Sequence, residues 1–305
     1  FTQDQYTLTV NIDGSGFVDK NPDKASYTYG EEVILTANPE VGWSFSEWSL
    51  DLTGNTNPAT ITVDSDKTIT ATFTQNHYTL TITTDGSGSV SKNPDQATYT
   101  YGESVQLTAN PIVGWSFTHW SGDLTGSESP TIITVTGDMT ITAHFSQNQY
   151  SLTVNIEGSG SVSRDPDQTS YPHGTDVTLT AVPEAGWSFD HWSGDLSDNT
   201  NPTTITIDGS KTITAHFTQN QYTLTVNVIG SGSVSKTPDQ ETYTYGSTVQ
   251  LEATPASGWS FSGWSGDLVD TANPVTVTID SSKSITATFT QNEYTLTIDV
   301  VGSGS

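Results

Sequence analysis

One 72-residue unit is repeated four times without insertion or deletion, and that period constrains the fold more than any other property of the chain. Tyr6, Tyr78, Tyr150, Tyr222 and Tyr294 recur at this interval, as do Trp43, Trp115, Trp187 and Trp259. The units run 6–77, 78–149, 150–221 and 222–293. Residues 1–5 read as the end of a preceding unit, with Phe1 its last strand residue, and 294–305 as the start of a fifth, opened by Gly302-Ser303-Gly304. A fixed period of this size marks an array of small bodies, each leaning on its neighbours, so the first expected partners are adjacent repeats of the same chain. Catalysis needs one constellation and gains nothing from four. The repetition therefore predicts a structural or presentational part, not an enzyme.

Each body is close to the lower size limit for folding alone, since a chain this short hides only about 60% of its unfolded surface. Disulfides and thiolate zinc sites are excluded by the absence of cysteine. Large apolar side chains must supply the missing stability, and the two tryptophans per unit are the natural source. The 34 acidic residues outweigh 8 basic ones for a net charge of −26, which argues against nucleic acid or an anionic membrane as partner. No apolar run approaches the roughly 20 residues of a membrane helix, so no membrane insertion is expected in this segment.

Tyr6-Thr7-Leu8-Thr9-Val10-Asn11-Ile12 alternates apolar and polar with period two, the pattern of a strand with one wet face. Gly14-Ser15-Gly16 reads as a hairpin turn, followed by a short strand from Phe17 to Asp19 and a second turn at Asn21-Pro22-Asp23. Further strands are predicted at 26–29, 33–37, 43–48, 59–63 and 68–73, separated by Gly30, Pro39-Glu40-Val41-Gly42 and the loop 51–58. Six or seven strands without a helical period define a compact antiparallel all-β module, whether β-grasp-like, small sandwich or small barrel. The join Thr74-Gln75-Asn76-His77 spans only about 13 to 14 Å fully extended. Neighbouring modules should therefore touch or nearly touch, giving a rod-like array.

Trp43, Trp48, Trp115, Trp120, Trp187, Trp192, Trp259 and Trp264 are read as structural core. Trp43 and Phe45 share a face by strand parity. Trp48 has the opposite parity, so it either reaches the same core through a bulge or lies on the outer surface, where it would form an aromatic platform for sugars.

The order Tyr78-Thr79-Leu80-Thr81, Gly86-Ser87-Gly88, Tyr101-Gly102, Val105 to Ala109, Pro111 to Asp123 and Ile141 to Phe145 resembles the divergent internalin-type B-repeat family. The resemblance covers essentially the whole chain. It implies non-catalytic modules, β-grasp-like in the better characterised branch, strung along large secreted or surface-attached proteins. Two departures stand out: Leu50 replaces the glycine of Gly122, Gly194 and Gly266, and Met139 replaces the lysine of the last strand.

Acids kept in every copy are Asp23, Asp95, Asp167 and Asp239, and Asp51, Asp123, Asp195 and Asp267. Turn and capping roles are the leading reading; calcium is the alternative, although companions such as Asp64 and Asp13 become Thr136 in copy two and Ile229 in copy four. No cofactor, metal or catalytic residue is assigned. His119 occurs with His144 and His191 with His216, which suggests that the two positions are surface neighbours, but two imidazoles make a weak zinc site and no histidine is common to all copies. The same irregularity excludes a Ser-His-Asp apparatus repeated in every unit. No lysine is kept in all four copies, so an isopeptide bond is not a property of every module. No Asn-x-Ser/Thr acceptor with x other than Pro occurs.

These readings lead to a segment of a secreted or cell-surface protein acting as a stalk or extracellular fibre of adhesin type, with identical chains as partners if it forms a filament. The rival is an array that binds carbohydrate or another surface ligand through repeated weak tryptophan sites. Burial of the Trp48 series separates the two.

Overall fold

The computed structural model describes residues 2–299 and 301–302. Phe1, Ser303 and Gly304, to which the sequence assigns roles in flanking repeats, lie outside them. Two compact units are present, Phe1–Asn148 and Gln149–Ser305, each carrying two repeats. Strands make up the regular structure, with no helix among the described residues.

The first module contains β1 (Gln5–Tyr6), β2 (Leu8–Asp13), β3 (Gly16–Asn21), β4 (Tyr27–Thr28), β5 (Glu31–Pro39), β6 (Trp43–Leu50), β7 (Ala59–Val63) and β8 (Lys67–Gln75). They form a β2-β8-β6 sheet, a β3-β5-β7 sheet and a small β1-β4 ladder. The other modules repeat this order. Leu8, Trp48, Ile69, Ala71 and Phe73 of the first sheet close on Val33, Leu35, Ala37, Ile61 and Val63 of the second. The result is an all-β, two-layer body with no closed barrel and no helix of the β-grasp kind.

Two details differ from the sequence reading. Alternation marks strands but not their direction, and β2 runs parallel to β8, Leu8 opposite Lys67 through Asp13 opposite Thr72. The sheet is thus mixed. Gly14-Ser15-Gly16 does not join a hydrogen-bonded hairpin either: it is a corner that carries the chain from β2 in one sheet to β3 in the other. Gly14 has φ 94°, and a Cβ there would lie 2.2 Å from the Phe73 carbonyl oxygen, so only glycine lets the corner pass so close to β8.

Tyr294, Leu296 and Ile298, read as a strand opening a fifth unit, are exposed and in no strand. In complete modules this segment pairs with β1-β4 and β2-β8 partners that come later in the chain.

Within the first unit the join between modules is tied at both ends. Asn76 N–H donates to Gly42 O at 2.8 Å, Ser44 Oγ donates to Asn76 Oδ1 at 2.7 Å, and the Tyr101 side chain packs so closely on Gly42 that a Cβ there would be 2.6 Å from its ring. The second unit repeats the arrangement: Asn220 N–H donates to Gly186 O, Ser188 Oγ to Asn220 Oδ1, and Tyr245 covers Gly186.

Candidate functional site

Three sets of side chains were singled out by the sequence, and each has a definite place. In β6 the register against β8 shifts between Phe45 and Glu47, so Ser46 is the extra residue of a bulge. The shift turns Trp48 inward, where it is 1% exposed; Trp120, Trp192 and Trp264 follow at 2%, 0% and 3%. Each indole has a satisfied N–H, Trp48 Nε1 donating to Thr56 O at 2.9 Å and Trp120 Nε1 to Glu128 O at 2.8 Å. Phe45 packs 4.9 Å from Trp48 and 5.9 Å from Phe73. Trp43, Trp115, Trp187 and Trp259 are partly buried and border their clusters. A sugar-stacking face built from the Trp48 series has no ring to present.

The recurrent acids bind backbone or cations. Asp51 N–H donates to Thr68 O at 3.1 Å while Asp51 Oδ2 accepts from Thr68 N–H at 2.7 Å, tying the start of the loop after β6 to β8. Asp123, Asp195 and Asp267 hold Thr140, Thr212 and Ser284 in the same way. Asp23, Asp95 and Asp239 pair with Lys20, Lys92 and Lys236, and Asp167 with Arg164, so what persists at that position is a cation. Asp64 pairs with Lys67 at 2.7 Å, and the pair is replaced as a whole in copy two by Thr136 and Met139. The lysine hydrogen bond holds the Asp64, Asp208 and Asp280 carboxyls below their ordinary range and raises Lys67 and Lys211. Among the described residues, no group of three or more His, Asp or Glu side chains is arranged to enclose a metal ion.

Several structural residues escaped the sequence reading. Tyr27, Tyr99, Tyr171 and Tyr243 are fully buried, and the Tyr27 hydroxyl donates to Pro22 O and accepts from Lys24 N–H, closing the turn after β3. Their presence in all four copies was the available signal. Asn57 imitates a strand, accepting from Ala37 N–H and donating to Ala37 O, both at 2.8 Å. In copy two Ser129 only accepts, from Ala109 N–H. Asp66 and Asp138 accept from the backbone N–H and hydroxyl of Thr7 and Thr79, and the backbone bond is the main reason their carboxyls sit low.

The histidine pairs are cross-strand neighbours. His119 lies opposite His144 and His191 opposite His216, with rings stacked at 4.3 and 4.2 Å. His144 Nδ1 is 2.9 Å from Asp85 Oδ2 and its Nε2 is 2.7 Å from Ser121 Oγ. His216 repeats this with Glu157 at 2.7 Å and Ser193 at 2.7 Å. A Ser–His–acid order of contacts thus occurs in modules two and three. Modules one and four have Glu47 with Thr72 and Gly263 with Thr288, so it is no property of the repeat.

The fold and its period define a tandem array of all-β repeat modules, and the chain belongs to the Divergent InlB B-repeat domain family, matched over residues 6–77, 78–149, 150–221 and 222–293. Repeats of this type occur in bacterial surface proteins. No curated protein matches the chain. Among solved structures, the Bacillus anthracis TIE protein is similar over 92% of this chain and 61% of its own, at 8% identity and a TM-score of 0.39. The chain thus spans about three fifths of that protein, and likeness at this level carries no argument about function. No helix among the described residues is long and apolar enough to cross a membrane.

Proposed function

We propose that this segment is a non-catalytic spacer in an extracellular or cell-surface protein, a stalk or fibre whose modules hold a functional part away from its anchorage. The observation that carries the reading is the inward placement of the Trp48 series together with the use of the recurrent acids as loop locks: the residues common to all four copies are occupied in holding each module together. Tied joins within each unit suit a part that must transmit position. Whole repeats should be removed or added in the parent surface protein, and the distance of a terminal epitope from the envelope measured by immunogold labelling. Reach that grows with repeat number supports the spacer. Unchanged reach, or saturable binding of the isolated array to a glycan panel that is lost on replacing the partly buried Trp43 series, favours the ligand array instead.

A further inference from the structure

Modules two and three carry on their outer face a row that modules one and four lack. Asp85, His144 and His119 stand opposite one another on three adjacent strands, as do Glu157, His216 and His191. The hydrogen bonds fix the tautomers. An ionised carboxylate only accepts, so the Nδ1 of neutral His144, His216 and His191, facing Asp85, Glu157 and Asp190, carries the hydrogen. His119 Nδ1 faces Thr118 Oγ1, whose own hydrogen goes to His144 O, so this nitrogen also donates. In all four rings the lone pair is therefore on Nε2. A carboxylate on one ring nitrogen that leaves the other as a ligand is the outer-shell arrangement of metal-binding histidines.

We infer that each stacked pair is a two-imidazole site for a divalent transition-metal ion of the zinc, nickel and copper class, with Asp85 and Glu157 orienting the central histidines. Imidazole suits these ions, and water completes the coordination. A metal lies in the plane of each ring it binds, so the parallel rings must splay. His119, held by a threonine contact where His144 has a carboxylate, is the ring that moves. Ser121 and Ser193 hydroxyls give up their contact with Nε2.

The test is calorimetric titration of the intact chain with zinc chloride, in excess magnesium to occupy oxygen-only sites. Two equivalents should bind, falling to one in His144→Thr and to none in His144→Thr/His216→Thr. Threonine stands at these positions in modules one and four, so the fold tolerates it, and an unchanged melting temperature verifies this. Asp85→Asn should keep the stoichiometry while weakening one site by about 10-fold to 100-fold. Absence of saturable zinc binding overturns the proposal, as does binding that survives the double variant, which would place the metal on the acidic surface. Unchanged affinity in Asp85→Asn overturns the role given to the carboxylate.

Discussion

Leu50 has φ 75°, in the left-handed region, where the equivalent Gly122, Gly194 and Gly266 have φ 90°, 92° and 92°. At Gly122 a Cβ would lie 2.3 Å from Thr140 O, so module one reaches the same turn with a rotated backbone and a strained side chain. Holding a leucine there costs about 1 to 2 kcal/mol, and glycine recovers it less about 0.4 to 1 kcal/mol of unfolded-state entropy. Leu50 is largely exposed, so little burial is lost. Leu50→Gly should stabilise module one by about 0.5 to 1 kcal/mol, read as an upward shift of its denaturant midpoint; a downward shift would mean that the leucine packs against something its exposure hides. The two tryptophans of a unit should also separate. Trp120→Ala removes a fully buried indole and its hydrogen bond to Glu128 O, at a cost of about 3 to 5 kcal/mol. Trp115 only borders the cluster, so Trp115→Ala should cost distinctly less. Urea melts that rank them the other way would contradict the packing described.

At the scale of strands, alternation and turn residues made every element visible except β1 as a separate strand, its Tyr6 being read as the start of β2, though the structure extends most of them, β5 from 33–37 to Glu31–Pro39 and β8 from 68–73 to Lys67–Gln75. Pairing was hidden because period two is the same in parallel and antiparallel strands, and the β2-β8 partners are 59 residues apart. Parity showed that Trp48 needed a bulge or an outer face, but the choice between them rests on packing that no local pattern encodes. The histidines were legible as neighbours because they appear and disappear together; Asp85 and Glu157 were not, being partners across that same long-range pairing. The locks between these strands also set the acid response. Asp66 and Asp138 are lowered chiefly by backbone N–H bonds, and Asp64, Asp208 and Asp280 by lysine. A carboxyl lowered in the folded state stabilises fully above its ordinary value of 3.8, and this is lost as pH falls through the folded value. At about 0.15 M salt, screening limits the opposing relief of charge repulsion. Calorimetric midpoints should therefore be flat above about pH 5 and fall below about pH 4; a midpoint still rising at pH 3 would show that repulsion outweighs the locks.

For the whole chain the governing quantity is the net charge of −26. Like charges that folding brings together destabilise the compact state, and salt reduces this over a Debye length of about 10 Å at 0.1 M, so melting temperatures should rise modestly with sodium chloride. Calcium adds something distinct only where six to eight oxygens converge. The recurrent acids are poorly placed for that: Asp51 and its equivalents clamp backbone, and Asp23 and Asp64 face cations of their own chain. Freeing any of them for calcium would break a lock while making a site. A ligand that binds only the folded chain stabilises it by mass action, so a dedicated site would show as a large, ion-specific gain. Millimolar calcium should instead raise the melting temperature no more than magnesium at the same concentration, and chelator should leave all four modules folded. A calcium gain that magnesium fails to reproduce, reversed by chelator in every module together, would mean that the loop acids rearrange into ligands.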